Sequence, residues 1–449
     1  MKKKIFTAAG LLLIFLPIIL QLSPTAQMLG IFAGSIWMWI TCSIELGSVA
    51  CLTALCLLPE VTPANVFTAS FGSSTILFLI FSFVLTYALS ATGVLRRVAI
   101  YFIDNRLAKK NVYCFMALYF LSMLVIGSFM APTTLFVLYF SIVQEIDGLL
   151  GLTKGDPLGR NLMVGTGFFA SISCAMTPIA HTFPLMALGY YETATGETIS
   201  YVEYLKYGLP IGLLLALCAY GLLCWRLKNT YDLSHVKFEN TRWQGKEIFS
   251  VVVFLLVVAC WLATGIAPDA LARLNALGTA WPAMVGCVVL GAVGCLNIRD
   301  GFTKGVQWSA ILLCAATLAM GSFLTKEQFG IMPALTAFMA PRLSALPVLL
   351  LITVFAVVLT NLISNIVTTT VSFNLFVPVL LSSAALFSPA AATIAIGICA
   401  SLAYALPSSI AHIALAGSSG WATSRDMLRY GSVMIVVSIV VVNLVMGIF

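Results

Sequence analysis

Seven hydroxyl or amide side chains fall within eleven positions in Thr360-Asn361-Leu362-Ile363-Ser364-Asn365-Ile366-Val367-Thr368-Thr369-Thr370, inside a stretch that is otherwise apolar from about Ala345 to Leu381. Polar groups inside such a segment are costly, so they are buried against protein or line a site. Small neutral oxygens suit a dehydrated Na⁺, and the same hydroxyls and amides can donate hydrogen bonds to an anion. The plainer alternative is that they cap and pack a bent helix. The chain has three histidines, and two sit at interruptions of other apolar stretches: His181 in Met176-Thr177-Pro178-Ile179-Ala180-His181-Thr182-Phe183-Pro184, and His412 in Leu406-Pro407-Ser408-Ser409-Ile410-Ala411-His412. Imidazole changes charge near neutral pH, so the pair could titrate or contact a substrate. Alternatively, each ring bonds a backbone carbonyl that the break sets free. His235 falls in a polar stretch and is expected to be solvated.

The elements that must position these residues are membrane spans. Of the 449 residues 61% are hydrophobic and 9% charged, with a mean hydropathy of +1.06. A soluble domain carries roughly 25% charged residues, so the chain is expected to be an all-α polytopic membrane protein, surrounded by membrane lipid. The net charge of +7 comes from short clusters between apolar spans. That pattern fits the positive-inside rule and gives no reason to expect nucleic acid. Twelve scattered cysteines with no CxxC argue against a disulfide framework or a metal site. Met1-Lys2-Lys3-Lys4 before an apolar run imitates a signal peptide, but no cleavage site follows, so a retained first span is expected.

In chain order the apolar segments predict a span at Ile5–Leu22, short helices near Met28–Thr41 and Gly47–Leu58, and a span at Ser74–Thr92. A basic amphipathic piece, Val94–Leu107, is expected on the cytoplasmic surface. Val112–Ile146 is interrupted at Gly127–Thr134 by Pro132 and reads as a re-entrant hairpin with arms of about 15 residues. Asn161–Tyr190 is a broken helix, and Tyr207–Trp225 a span. Then come Glu247–Gly265, Trp281–Leu296, a charged turn Asn297–Lys304, Ser309–Leu324, and Lys326–Arg342 at the outer surface. The second hairpin, the broken Ala391–Gly420 and a last span Tyr430–Met446 complete about eleven spans and two re-entrant hairpins. The expected division is 1–60 (N-terminal helices), 61–227 (first repeat, inward hairpin), 228–246 (cytoplasmic linker) and 247–449 (second repeat, outward hairpin). The N-terminus is expected in the cytoplasm and the C-terminus outside the cell membrane.

The two halves match at their interruptions. Ile179-Ala180-His181 returns 231 residues later as Ile410-Ala411-His412, and the tips Ala131-Pro132-Thr133 and Ser364-Asn365-Ile366 lie 233 apart. Tyr207-Gly208 has its counterpart in Tyr430-Gly431, 223 residues on. An odd number of crossings separates corresponding elements, so the second copy should be inverted, the arrangement used by secondary transporters.

With paired hairpins and paired broken helices, the chain resembles the divalent-anion:sodium symporter family over nearly its whole length, on the Ser364-Asn365 hairpin, on Thr177-Pro178 and Pro407-Ser408 in the broken helices, and on the order of elements. The resemblance implies an alternating-access carrier of a small anion, a di- or tricarboxylate, coupled to Na⁺ and working as a homodimer. It also implies substrate contacts from Ser364 and Asn365, from Thr133 and Thr134 opposite, and from Thr177, Pro178, Ser408 and Ser409, with His181 and His412 flanking. Sodium would be held by Ser128, Ser364, Asn365 and Thr368. In that family both tips carry Ser-Asn-Thr. Here the first reads Ala131-Pro132-Thr133 and the second Ser364-Asn365-Ile366, with Thr368 close behind. That departure bears on the first ion and leaves open a proton-coupled or exchange-type organic anion carrier, or a degenerate transporter acting as a sensor. A channel is a further alternative. An intramembrane enzyme is disfavoured: Glu45, Asp104 and Glu145 fall at predicted helix ends, and no HExxH or GxSxG occurs.

Overall fold

The computed structural model describes residues 2–59, 61–233, 236–238, 243–324, 326–331, 347–382 and 387–448. His235 and the part of Lys326–Arg342 beyond 331 lie outside them. Every regular element among the described residues is helical. The molecule is an all-helical, multi-span membrane protein.

Helices α1 (Lys2–Ile19), α2 (Pro24–Thr41) and α3 (Ile44–Leu55) pack together. α2 starts four residues earlier than expected, because Ser23 caps it and Pro24 presets its first turn. Their shared face, with Met28, Ile31, Met38 and Cys51, joins Met320 and Phe323 of the later helix Trp308–Leu324 in a core of its own. Beyond the short α4 (Pro63–Ala69) and α5 (Ser74–Ala91), Gly93 adopts a left-handed φ of 76° and turns the chain into α6 (Val94–Ile103). The buried edge of α6 is Val94, Ala99, Ile100 and Ile103, and acids hold its basic edge. Arg96 meets Glu145 at 2.5 Å and Arg97 meets Glu247 at 3.1 Å.

The predicted interruptions are all present. α7 (Val112–Gly127) stops before α8 (Pro132–Leu150), and α9 (Pro157–Ala175) before α10 (Thr182–Thr195). α11 (Tyr201–Cys224) leads to a polar linker. There the Tyr231 hydroxyl donates to Asp156 at 2.8 Å, and burial together with that carboxylate pushes the phenol up to about 12. The chain continues through α12 (Gly245–Ile266), α13 (Ala272–Asn275), α14 (Trp281–Ala292) and α15 (Ile298–Asp300), which runs into a π-helical turn over Gly301–Gly305. A 69° bend separates that piece from α16 (Trp308–Leu324). Then α17 (Val348–Leu362) breaks before α18 (Asn365–Ser382), α19 (Pro389–Ser401) breaks before α20 (Ala411–Ser418), and α21 (Ser424–Ile448) is the last helix.

By length and apolarity six described helices can cross a bilayer, or seven if the bent pair counts as one span. The number is below eleven partly because several expected crossings are split at breaks. The second arms α8 and α18, at 19 and 18 residues, exceed the expected arm of about 15. No early stop signal follows either tip, and Pro378 lies within α18 without ending it.

The core interleaves the halves: α10 packs on α19, α9 on α20, and α11 on α21. Two glycines let α11 and α21 each lie directly on a break. A Cβ on Gly208 of α11 would lie 2.5 Å from the Met176 carbonyl oxygen, and one on Gly431 of α21 would lie 2.8 Å from Ala405 Cα. These are the glycines of the matched Tyr-Gly pairs, each seated against unwound backbone that cannot shift as a side chain would. Overpacking of this kind costs about 1–3 kcal/mol. Gly208→Ala and Gly431→Ala should each lower the thermal midpoint of the solubilised protein, whereas Gly221→Ala, which faces open space, should not. Equal midpoints for all three would refute the close approach.

Candidate functional site

A helix interrupted inside apolar surroundings leaves carbonyls and amides that must find partners. At the second half Asn361 supplies four hydrogen bonds. Its Oδ1 accepts from the amides of Tyr404 (2.7 Å) and Ala405 (3.0 Å), and its Nδ2 donates to the carbonyls of Val357 and Leu402, both at 2.9 Å. Thr360 adds a bond to the Ala400 carbonyl at 2.8 Å. The second tip is thereby tied to the second break. In the first half the Thr177 hydroxyl donates to the Ser128 carbonyl, tying the first break to the first tip, and the Tyr204 hydroxyl takes the freed Ala175 carbonyl at 2.9 Å.

The histidines link one half to the other. His181 Nδ1 lies 2.9 Å from Ser401 Oγ, while His412 Nε2 lies 2.8 Å from Ser171 Oγ, which also donates to the Ala403 carbonyl at 2.7 Å. Ser171 and Ser401 stand 230 residues apart, close to the 231 that separates the histidines. Each histidine therefore engages the serine of the opposite half.

A cavity of about 170 Å³ lies where the breaks meet, lined among others by Thr133, His181, Thr182, Gln307, Ile366 and Ile410. Four helices begin on its wall: α8 through Pro132 and Thr133, α10 through Thr182 and Phe183, α18 through Ile366, and α20 through Ile410, the residue before its first turn. The residues preceding α8, α10 and α20 make no side-chain cap, so the first-turn amides of those helices are not taken by a capping side chain. Helix N-termini carry partial positive charge and free N–H groups, a combination that binds anions. An adjoining cavity of about 250 Å³ shares Ala131, Ala180 and Gln307 with the first and adds Thr134 and Lys304.

The expected residues divide accordingly. Thr133 and His181 line the cavity between the tips, and Thr134 lines the adjoining one. Pro178 instead faces a separate pocket with Thr75, Glu192, Tyr201 and Trp261. Ser408 donates to the Leu362 carbonyl at 3.2 Å, beside the second tip, and Ser409 to the Leu406 carbonyl at 2.5 Å within the break, so both hydroxyls are taken by backbone. His412 is fully buried, and its Nδ1 has no hydrogen-bond partner among the described residues. Of the expected ion ligands, the Ser128 hydroxyl donates to the Leu124 carbonyl at 2.7 Å and Thr368 to the Ser364 carbonyl at 3.2 Å, in each case one helical turn back. Ser364 is half-buried. Asn365 differs from all of these: it is 1% exposed, and neither its Oδ1 nor its Nδ2 has a partner among the described residues.

Residues missed in the sequence include Asn361, Ser171, Ser401, Lys304 and Gln307. Asn361 lies in the polar run itself, and its position one turn before the tip could have singled it out as a clamp. Ser171 and Ser401 carried a weaker signal, the shared offset. Lys304 and Gln307 reach the cavity only because of the 69° bend, which nothing in their sequence neighbourhood announces.

Replacing Asn361 by Leu would orphan the buried amides of Tyr404 and Ala405 and the Leu402 carbonyl, and each unsatisfied group costs about 1–3 kcal/mol. Asn361→Leu should lower the thermal midpoint far more than Thr360→Val, which removes one bond. A wild-type midpoint for Asn361→Leu would show that the clamp carries no stability.

The comparisons with known proteins agree with this arrangement. The model of the citrate transporter family matches residues 36–397. A sodium-dependent dicarboxylate transporter, SdcS of Staphylococcus saprophyticus, is 26% identical over 447 residues, covering 92% of this chain and 85% of its own. The inorganic phosphate transporter PHO87 of Saccharomyces cerevisiae is 24% identical over 57% of this chain, a match that spans 26% of that longer protein. Among solved structures, the YdaH transporter of Alcanivorax borkumensis shares the fold with a TM-score of 0.59 at 11% identity, over 86% of this chain and 87% of that one. These are transporters and not enzymes, as the absence of catalytic motifs led us to expect, and the divalent-anion:sodium symporter resemblance is consistent with them. The chain belongs to the citrate transporter family.

Proposed function

We propose that this protein is a secondary carrier that moves a small carboxylate, a di- or tricarboxylate, across the cell membrane together with Na⁺ by alternating access. The observation that carries this reading is the meeting of four helix N-termini on one cavity that lacks any acidic side chain among the described residues lining it. N–H groups and threonine hydroxyls there present donors to a carboxylate, and the partial charges of the helix ends favour its negative charge. A divalent anion still needs compensating cations. Asn365, with its buried and unpartnered amide oxygen, and the neighbouring oxygens of Ser364 and Thr368 have the chemistry of a sodium site. The sodium dependence of the Staphylococcus relative supports the same coupling.

In this reading α7–α8 and α17–α18 are the two re-entrant hairpins of an inverted repeat, within a bundle of about eleven spans. The crossed pairs His181–Ser401 and His412–Ser171 support the pseudo-symmetry. The Lys2–Lys4 cluster and the basic edge of α6 favour a cytoplasmic N-terminus, with the C-terminus outside. The division at 228–246, and a homodimer in the membrane, complete the proposal. Thr133, Thr134, His181, Ser364 and Asn365 contact the substrate or its ion, whereas Thr177, Pro178, Ser408, Ser409 and His412 shape the breaks around it. Because the His181 ring lines the cavity, coupling to protons is a second reading; uptake in Na⁺-free buffer that rises with a proton gradient would favour it.

In proteoliposomes under an inward-directed Na⁺ gradient, high outside and low inside, citrate or succinate uptake should be saturable and should vanish in Ser364→Ala and Asn365→Ala while both variants still reach the membrane. The thermal midpoint of the wild type should rise with the transported acid, and rise further when Na⁺ is present, since specific binding stabilises by mass action. Unchanged uptake in both variants would remove the assigned site.

A further inference from the structure

The cavity adjoining the first tip carries a group that the reading above does not use. Lys304 lies next to last in the π-helical turn before the bend and is the one formally charged side chain among the described residues lining the two joined cavities. Around it stand Thr134 of the first tip, Gln307 at the start of α16, and Thr86, Tyr87 and Ser90 of α5. Gly305 makes this possible: a Cβ there would lie 2.6 Å from Tyr87 Cβ, so the glycine lets the turn press against α5 and brings its neighbour Lys304 to the cavity. Gln307 lines both cavities and so joins them.

The Lys304 ammonium lies 3.1 Å from Asp300 Oδ1, one turn back, with 64% of its side chain exposed. An ion pair so exposed is weak and screened, so the ammonium can leave Asp300 for another carboxylate. Phe83, Met130 and Ile179 give the cavity apolar walls, which focus the field of a single cation. The inner cavity offers only partial charges, so an anion entering it directly would shed its water before meeting any full opposite charge.

We propose that Lys304, Gln307 and Thr134 form a separate anion subsite, a vestibule that takes a carboxylate group of the substrate before it passes to the cavity between the tips. This rests on the transport reading above. Lys304 supplies the charge, Gln307 and Thr134 supply donors, and Asp300 holds the lysine when no anion is present. Capture and release then exchange one carboxylate for another at the same ammonium, with no net burial of charge.

The test measures binding of citrate, succinate and inorganic phosphate to the purified, solubilised full chain at fixed Na⁺, for the wild type, Lys304→Gln, Lys304→Arg and Asp300→Asn. Lys304→Gln should raise the Kd of whichever anion binds by about two- to fivefold, of the size expected for losing one charge contact at a wet site. Lys304→Arg should restore most of that loss, and Asp300→Asn, which frees the lysine, should lower the Kd below wild type. Thermal midpoints without ligand separate these effects from misfolding. Citrate or succinate binding that is unaltered in Lys304→Gln would overturn the vestibule and leave the carrier reading standing, as would Asp300→Asn weakening binding as much as Lys304→Gln. Phosphate binding alone, still weakened by Lys304→Gln, would keep the vestibule and overturn the carboxylate reading. No binding by any of the three would overturn both.

Discussion

Backbone satisfaction at the helix breaks is the constraint on which the rest of this structure depends. Four interruptions are placed inside an apolar fold, and water cannot be relied on there to take their free amides and carbonyls. The chain solves this with side chains from other elements: Asn361 and Thr360 reach from the second tip to the second break, Thr177 from the first break to the first tip, Tyr204 from α11, and Ser171 from α9 to the carbonyl of Ala403. Each bond joins segments that a plain bundle would have no reason to bring together. The glycines of α11 and α21 belong to the same solution, since only a residue without Cβ lets a helix lie directly on unwound backbone.

From that constraint the electrostatics of the site follow. A break that ends one helix starts another, and four starts on one cavity wall gather partial positive charge with no arginine or lysine among the described residues lining it. Such a site is cheap to keep empty, because dipoles cost far less to bury than ions. It is also neutral enough to release what it binds, which a carrier requires as much as affinity. The full charge stands outside, at Lys304, where solvent keeps its burial cost low and Asp300 balances it.

The sequence made the breaks legible, because proline and clustered small polar residues have few other uses in an apolar stretch. The segments matched in the sequence, Ile-Ala-His, the tips and Tyr-Gly, also fall at the breaks or against them. Helix ends were readable where a cap stood, and misjudged where one was overlooked, as at Ser23-Pro24. What stayed hidden was every contact made across the chain. The expected ring of site residues treats all four breaks as facing one space, yet Pro178 faces another pocket, and the hydroxyls of Ser408 and Ser409 are taken by the carbonyls of Leu362 and Leu406. Two residues apart in an unwound turn can point to opposite sides, and no periodicity predicts which. Lys304 was read as part of a charged turn because its approach to the cavity depends on a bend and on Gly305, both of which are tertiary features.

The matched halves are alike in scaffold and unlike in chemistry. Both histidines bond a serine about 220–240 residues away, but His181 lines the cavity and His412 is sealed away with one nitrogen unpartnered among the described residues. Both tips begin a helix, but the first offers proline and threonine while the second offers an asparagine whose amide is buried and free. A pair of identical halves would place identical groups on opposite sides of the cavity, which suits a symmetric ligand or a symmetric pair of ions. Here the donors and the one nearby cation gather beside the first tip, and the free buried amide oxygen lies in the second. The groups suited to an anion and the groups suited to a cation therefore differ between the first tip and the second. That separation follows from where the halves differ, whereas the frame that makes it possible follows from where they agree.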